Sequence, residues 1–470
     1  MRVRTIFPLL LLAPSCRVLP HDDVPEPSFE LRESFSGPAA SEPVPEIAWW
    51  DTFSEDVAGY VEQALDENRD LRAGAARVQA AAARARIAGA DLLPTLSASG
   101  NGSRLKQIFV GLPVPGSNVL ESTTYSYGVS LDLSWEADLW GRLSALSDAS
   151  EEDFVASAAD YRAAQHSLAA QTAKAWFAWQ AARTQLAHAE NSLSSFQRTR
   201  DLVTRRFETG NATAFDVQLT ETDYAQANAF AEARREQREL AILQLELLLG
   251  ALPEGALQTE TSTDRLPAAP PMPSVGVPGD LLARRPDLVA AEARVHAADD
   301  RLYAARAALY PRLSLNGSVG RSSDSASDLV DDDFSVWSIA AGITQPLFQG
   351  GRLRAQIEAS DAELAAALAD FESQLLLALG EVETALVSEN RLVELERLRL
   401  EAKNRADTAR ELAEDRYRAG RLDLLEVLTA ERRALQAAID LTDIRQRRLE
   451  TRVDLYLALG GGFLPTETEQ

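Results

Sequence analysis

Side chains that could do chemistry are few and scattered in this chain. The four histidines, His21, His166, His188 and His296, lie far apart, and none belongs to a His-Glu-x-x-His or comparable ligand pattern. Serines and aspartates are plentiful, yet neither a nucleophile elbow nor a glycine-rich phosphate loop is present. The usual hydrolase and nucleotide-binding signatures are therefore absent, and no cofactor is expected; only a triad dispersed along the chain stays open. The single cysteine, Cys16, excludes an internal disulfide and a Cys-based metal cage. What remains is carboxylate chemistry at two matched places. Asp216 sits nine residues after Phe207, and Glu426 sits nine after Tyr417. Acids at such positions either cap a helix start or, repeated around a pore axis, favour cations and form a gate.

The match between those places comes from a duplication. Arg77-Val78 leads to Leu93-Pro94-Thr95-Leu96, and 217 residues later Arg294-Val295 leads to Tyr310-Pro311-Arg312-Leu313. Further on, Gly141-Arg142-Leu143 answers Gly351-Arg352-Leu353, Phe207-Glu208-Thr209-Gly210 answers Tyr417-Arg418-Ala419-Gly420, and Leu249-Gly250 answers Leu459-Gly460, each pair 210 apart. The seven-residue change falls between the two strand-like segments of each copy, where a loop can absorb it. Each unit reads helix, strand pair, very long helix, turn, helix. The expected organisation is repeat 1 over 49–250, a Pro-rich linker over 251–279, repeat 2 over 280–462 and a tail over 463–470.

Ahead of the repeats, Arg2 and Arg4 flank an apolar run that is too short to span a bilayer and reads as an export signal over residues 1–16. Cys16 follows Ala13-Pro14-Ser15, which resembles the lipid-attachment box of bacterial lipoproteins, although Pro14 stands where a small residue is usual. The resemblance implies a lipid on Cys16; the alternative is removal of Cys16 with an ordinary signal peptide. Residues 17–48, rich in Pro, Glu and Ser, read as an extended periplasmic arm. The 470-residue chain carries a net charge of −24, which argues against a nucleic-acid partner and keeps a large particle soluble. No later stretch is long and apolar enough for a helical span, a fact that does not bear on a barrel.

Within each copy the periodicities are plain. A helix is expected over 54–93, stopped by Pro94, and another over 279–310, stopped by Pro311. Residues 94–104 alternate weakly and 125–135 strictly, with Tyr125, Tyr127, Val129, Leu131, Leu133 and Trp135 on one face and small polar residues on the other. Aromatic ends, an apolar face and a hydroxyl-rich face describe a membrane β-strand with a wet lumen. A soluble sandwich strand would show the same alternation. The stretch between the two strands, with Gly111, Pro113, Pro115 and Gly116, reads as a loop. The second strand pair is expected over about 311–345. Phe154, Tyr161, Leu168, Ala175, Ala182, Ala189, Phe196 and Val203 then mark a coiled-coil seam at unbroken seven-residue spacing. Leu364, Phe371, Ala378, Ala385 and Leu392 form a second series, and Leu379, Leu386, Val393 and Leu400 a third.

Together these features resemble the outer-membrane efflux proteins, the TolC-like channel-tunnels of Gram-negative export systems, over roughly residues 49–462. The resemblance implies a mainly α fold with membrane β-structure: a trimeric 12-stranded barrel, four strands per protomer, continued by a coiled-coil periplasmic tunnel. It implies a homotrimer in outer-membrane lipid, a periplasmic adaptor and an inner-membrane pump of RND, ABC or MFS type, with no enzymatic activity and no nucleic acid. It implies a passive exit duct for drugs or small solutes; protein secretion, or a lipid-anchored coiled-coil scaffold, are the other readings. The turns would close the tunnel through Tyr417 and Asp216. The family's arginine five residues past the tyrosine is Leu422 here, so one polar lock is either missing or replaced through Arg421 or Asp423; Glu426 completes the candidate gate residues. Gly210 and Gly420 would form the tips that meet the adaptor.

Overall fold

A computed structural model describes residues 34–35, 48–114, 117–255 and 266–461. Cys16, most of the arm and the tail lie outside these residues. The described elements run α1 (Glu55–Glu67), α2 (Arg69–Ala90), β1 (Thr95–Val114), β2 (Ser117–Ala137), α3 (Arg142–Glu208), α4 (Ala214–Leu248), α5 (Asp280–Arg284), α6 (Pro286–Ala307), β3 (Arg312–Ser323), β4 (Ser335–Thr344), α7 (Arg352–Arg418) and α8 (Leu424–Ala458). They divide into two compact units, one holding Gln79–Ser157 and Ala291–Asp370, the other drawn from Pro27–Val78, Ala158–Ala290 and Phe371–Gln470.

The first unit is built on an antiparallel sheet ordered β1-β2-β3-β4. Its register places like with like. Leu96 faces Leu133, Leu131 faces Val319, and Val319 faces Trp337, which gives one apolar surface across all four strands. The described residues do not cover that surface: Trp337 is 74% exposed and Ile339 81%. The opposite face is lined by hydroxyls. Asp132 gathers them, accepting from Ser99 (2.8 Å), Ser130 (2.9 Å) and Ser318 (2.7 Å), and so ties β1, β2 and β3 in one register. The first hairpin is longer than the sequence implies. Pairing runs unbroken from Thr95–Ser134 to Val110–Val119, slips between Val110 and Val114, and resumes. The irregularity holds Gly111 and Pro113; proline lacks the N–H a regular ladder needs. The expected loop is thus largely a strand extension with a bulge. Asp138 caps the start of α3 by accepting from the amides of Leu143 (3.1 Å) and Ser144 (2.8 Å).

In the second unit, Trp49 and Trp50 lie in a 3-10 turn and are buried. Trp49 stacks on Tyr456 at 5.7 Å, and Phe53 lies 5.3 Å from Phe177, in a core that includes Trp176, Leu245 and Val453. The seven-residue seam on α3 is buried at Leu168, Ala175, Ala182, Ala189, Phe196 and Val203. On α7, Ala378, Ala385, Leu386 and Leu392 are buried, whereas Val393 and Leu400 are exposed in the single chain.

Both helices expected to be continuous are broken. Asn68 interrupts the first: its backbone is extended, and its Oδ1 accepts from the amides of Asp70 (2.9 Å) and Leu71 (3.2 Å), capping α2. Arg285 interrupts the second, because Pro286 follows it and bars the helical conformation. The two breaks are 217 residues apart, in step with the duplication. Each receives the end of its copy's last helix. Gly250 (φ 70°) follows α4, and a Cβ there would stand 2.7 Å from the Glu67 carbonyl oxygen; Gly460 (φ 75°) follows α8, and a Cβ there would stand 2.7 Å from that of Arg284. A side chain at either site meets backbone as well as an unfavourable φ. Gly250→Ala and Gly460→Ala are therefore expected to destabilise by clearly more than the ~1–2 kcal/mol that positive φ alone costs. Gly420→Ala, where a Cβ meets nothing within 4 Å, costs about that φ term alone. Thermal melting of the purified variants checks this, and equal losses at all three positions contradict it.

Candidate gate at the helix turns

Two turns in the second unit carry the residues singled out by the sequence. At the end of α3, Gly210 (φ 75°) donates to the Phe207 carbonyl (3.0 Å) and Asn211 to that of Arg206 (2.7 Å). At the end of α7, Gly420 (φ 69°) donates to Tyr417 (2.9 Å) and Arg421 to Arg416 (2.8 Å). Both glycines thus close a helix with a left-handed residue that satisfies its last carbonyls. Both are also exposed, with open space where a Cβ would stand.

The two carboxylates behave differently. Asp216 Oδ2 accepts from the Thr213 amide (2.8 Å), and the Asp216 amide donates to Thr213 Oγ1 (3.2 Å), a reciprocal capping box that opens α4. Glu426 stands at the same place in α8, yet it is exposed, and the cap residue Asp423 makes no side-chain capping bond. The structure brings Asp216 to Thr213 rather than to Tyr417.

Tyr417 is only 7% exposed and packs with Phe196, Val203, Leu424 and Leu428. Within the single chain a cation reaches it from α3. The Arg206 guanidinium lies over its ring at 4.5 Å, and Arg206 Nη2 donates to its carbonyl at 3.1 Å. Sequence reasoning missed Arg206. A usable signal existed, since Arg206 and Arg416 each precede the aromatic of the two matched turns. Also missed was Asp223 on α4, a buried residue that accepts from Arg432 Nη1 on α8 at 3.1 Å. Burial raises the Asp223 carboxyl above its ordinary range, against the opposing pull of Arg432.

An uncovered apolar sheet, a hydroxyl-lined opposite face, long seamed helices and paired polar turns define a membrane channel of mixed β and coiled-coil construction. A sequence model of the outer membrane efflux protein family matches residues 60–251 and 277–461, and the chain belongs to that family. It is 34% identical to the outer membrane protein OprJ of Pseudomonas aeruginosa over 93% of this chain and 91% of that protein. It is 32% identical to the pyoverdine export outer membrane protein OpmQ of Pseudomonas putida, over 91% of each. Among solved structures, the outer-membrane channel OprN superposes with a TM-score of 0.87 at 29% identity, covering 95% of this chain and 99% of that one. The protein is thus the outer-membrane duct of a tripartite efflux system, located in the outer membrane of a Gram-negative cell.

Removing either half of the capping box, by Thr213→Ala or Asp216→Ala, is expected to cost about 1 kcal/mol. Asp423→Ala and Glu426→Ala should leave stability nearly unchanged. Melting temperatures that fall equally in both pairs would show that the two turns are not asymmetric.

Proposed function

We propose that the duct is a homotrimer that completes a tripartite pump as a passive exit for drugs or small solutes. One observation carries this reading: the described sheet ends in β1 and β4, each paired on one side only. An open sheet edge in lipid leaves backbone groups unsatisfied, and four strands cannot close. Three copies give twelve strands, enough to close around a pore. The exposed Val393 and Leu400 continue the α7 seam and supply apolar surface for a neighbouring coil. The chain is not an enzyme in this reading, and its energy comes from an inner-membrane pump of RND, ABC or MFS type through a periplasmic adaptor. Repeat 1 (49–250) and repeat 2 (280–462) supply matched halves of each protomer. Asp216, Tyr417, Asp423 and Glu426 line the inner gate, and Gly210 and Gly420 present the tips to the adaptor. Asp216 does double duty in this reading, as a helix cap and as one member of a carboxylate ring. Cys16 carries the lipid anchor.

In planar bilayers the wild type should give a small, cation-selective conductance, and the Asp216→Ala, Glu426→Ala double variant a larger, less selective one. Unchanged conductance and selectivity would remove both carboxylates from the gate. In cells, Cys16→Ser should lose incorporation of labelled palmitate, whereas Gly210→Trp with Gly420→Trp should abolish export from a folded trimer. Label retained on Cys16→Ser, or export retained by the tip variant, would contradict the anchor and the adaptor contact respectively.

A further inference from the structure

Above the turns, α3, α7 and α8 enclose a polar chamber of about 340 Å3, lined among others by His188, Arg198, Lys403, Asp407, Arg410 and Glu431. Glu431 is the unusual member. It is 2% exposed, and Ser195 Oγ on α3 donates to its Oε1 at 2.5 Å. An ionised carboxylate so enclosed needs a cation, and the charges around Glu431 are only loosely committed. From α7, Arg410 reaches Glu414 at 3.7 Å and Glu411 at 3.9 Å, and its buried Nε makes no hydrogen bond. From α3, Arg198 Nη1 donates only to the Ser194 hydroxyl, at 2.9 Å. Lys403 is already held by Asp407 at 2.7 Å. Glu414, the other anion at hand, also accepts from Arg418 at 3.2 Å, one residue past Tyr417. A smaller pocket lined by Ser195, Arg198, Glu414 and Tyr417 carries the same contacts on toward the turn.

We propose that Glu431 and this chamber form a proton-operated latch on the coil that leads to the gate. Protonated, Glu431 is neutral, needs no cation and holds α8 to α3 through Ser195. When its proton leaves to water in the chamber, the carboxylate draws Arg410 away from Glu414. Glu414 is then left with Arg418 alone, and α7 slackens beside Tyr417. The duct therefore tightens in acid and loosens as pH rises. This rests on the reading of the turns as the inner gate.

The sign follows from burial, which is the largest influence on Glu431 and pushes its carboxyl above the ordinary range; Glu414 adds to the rise, while the Ser195 hydrogen bond, Arg410 and Arg198 oppose it. A carboxyl raised by folding contributes stability that is complete below its unfolded value and is lost as pH climbs through the folded value. Two neighbouring ties act in the same direction. Asp443 on α8, which accepts from Gln185 on α3 at 2.5 Å, and Asp223 are both raised, chiefly by burial. His188, which also lines the chamber, is lowered from its ordinary value by burial and then by Lys403, against Asp407.

The test compares full-length wild type, Glu431→Gln and Arg410→Gln, as purified assemblies, from about pH 5 to about pH 8. Melting temperatures of wild type and Glu431→Gln should agree at the acid end and diverge with rising pH, wild type falling by several degrees more. Parallel melting curves would overturn the latch whatever the channel does. In bilayers, wild-type conductance should rise with pH, while Glu431→Gln stays at the low acid value. Arg410→Gln should keep the pH-dependent melting yet lose the conductance response. A conductance that follows pH identically in wild type and both variants would also overturn the latch. Silence from all three at every pH would count against the gate, and the melting comparison would still decide whether Glu431 titrates as described.

Discussion

A backbone amide in hydrocarbon has no water to turn to, and this constraint organises the protein. The four-stranded sheet satisfies its inner groups by antiparallel pairing but leaves β1 and β4 each paired on one side only. Its apolar surface is useless to a soluble domain and appropriate to lipid, because Ala98, Leu131, Val319 and Trp337 fall in line through the register alone. The register in turn depends on the polar face, where one carboxylate, Asp132, collects three serine hydroxyls from three strands. A slip of one residue would exchange the faces and place that carboxylate in the apolar layer.

The helices answer a different demand. A coil packed through alanine lets backbones approach closely, so the α3 seam at Ala175, Ala182 and Ala189 leaves little room for error. Against this background α4 and α8 carry two buried acids, Asp223 and Glu431, and the exposed Asp443, each tied to another helix by one polar contact. An apolar residue at these positions would pack as well or better. Asp223 and Glu431 place titratable groups inside the coil itself.

Much of this was legible in the sequence, because period and length are written there directly. The α3 seam, the strict alternation of β2 and the matched turns needed only residue types and counting. The misses have two causes: contacts remote in the chain, and local signals that allow two readings. Asn68 looks like an ordinary helix residue until its Nδ2 donates to the Leu248 carbonyl, 180 residues away. The break at Arg285 had a local signal in Pro286, overridden by the helical pattern on either side. Gly111 and Pro113 read as a loop because turn chemistry and strand irregularity use the same residues. At the turns, the tyrosine was visible and its arginine was not, since Arg206 reaches Tyr417 from the other long helix.

The two long helices are each 67 residues, and the two that follow them are each 35. The strand pairs differ: 20 and 21 residues in the first, 12 and 10 in the second. This contrast states where the gene tolerates insertion and deletion. One residue added within a long helix rotates everything beyond it by about 100° and turns the seam away from its partner. Length in the coils is therefore quantised, admissible only in whole heptads and only if both halves change together. At the hairpin ends the chain leaves the apolar layer and length is free. Divergence among related ducts should accumulate at that outward surface, the part of the molecule that the cell shows to phages, antibodies and the medium, while the coil lengths stay fixed.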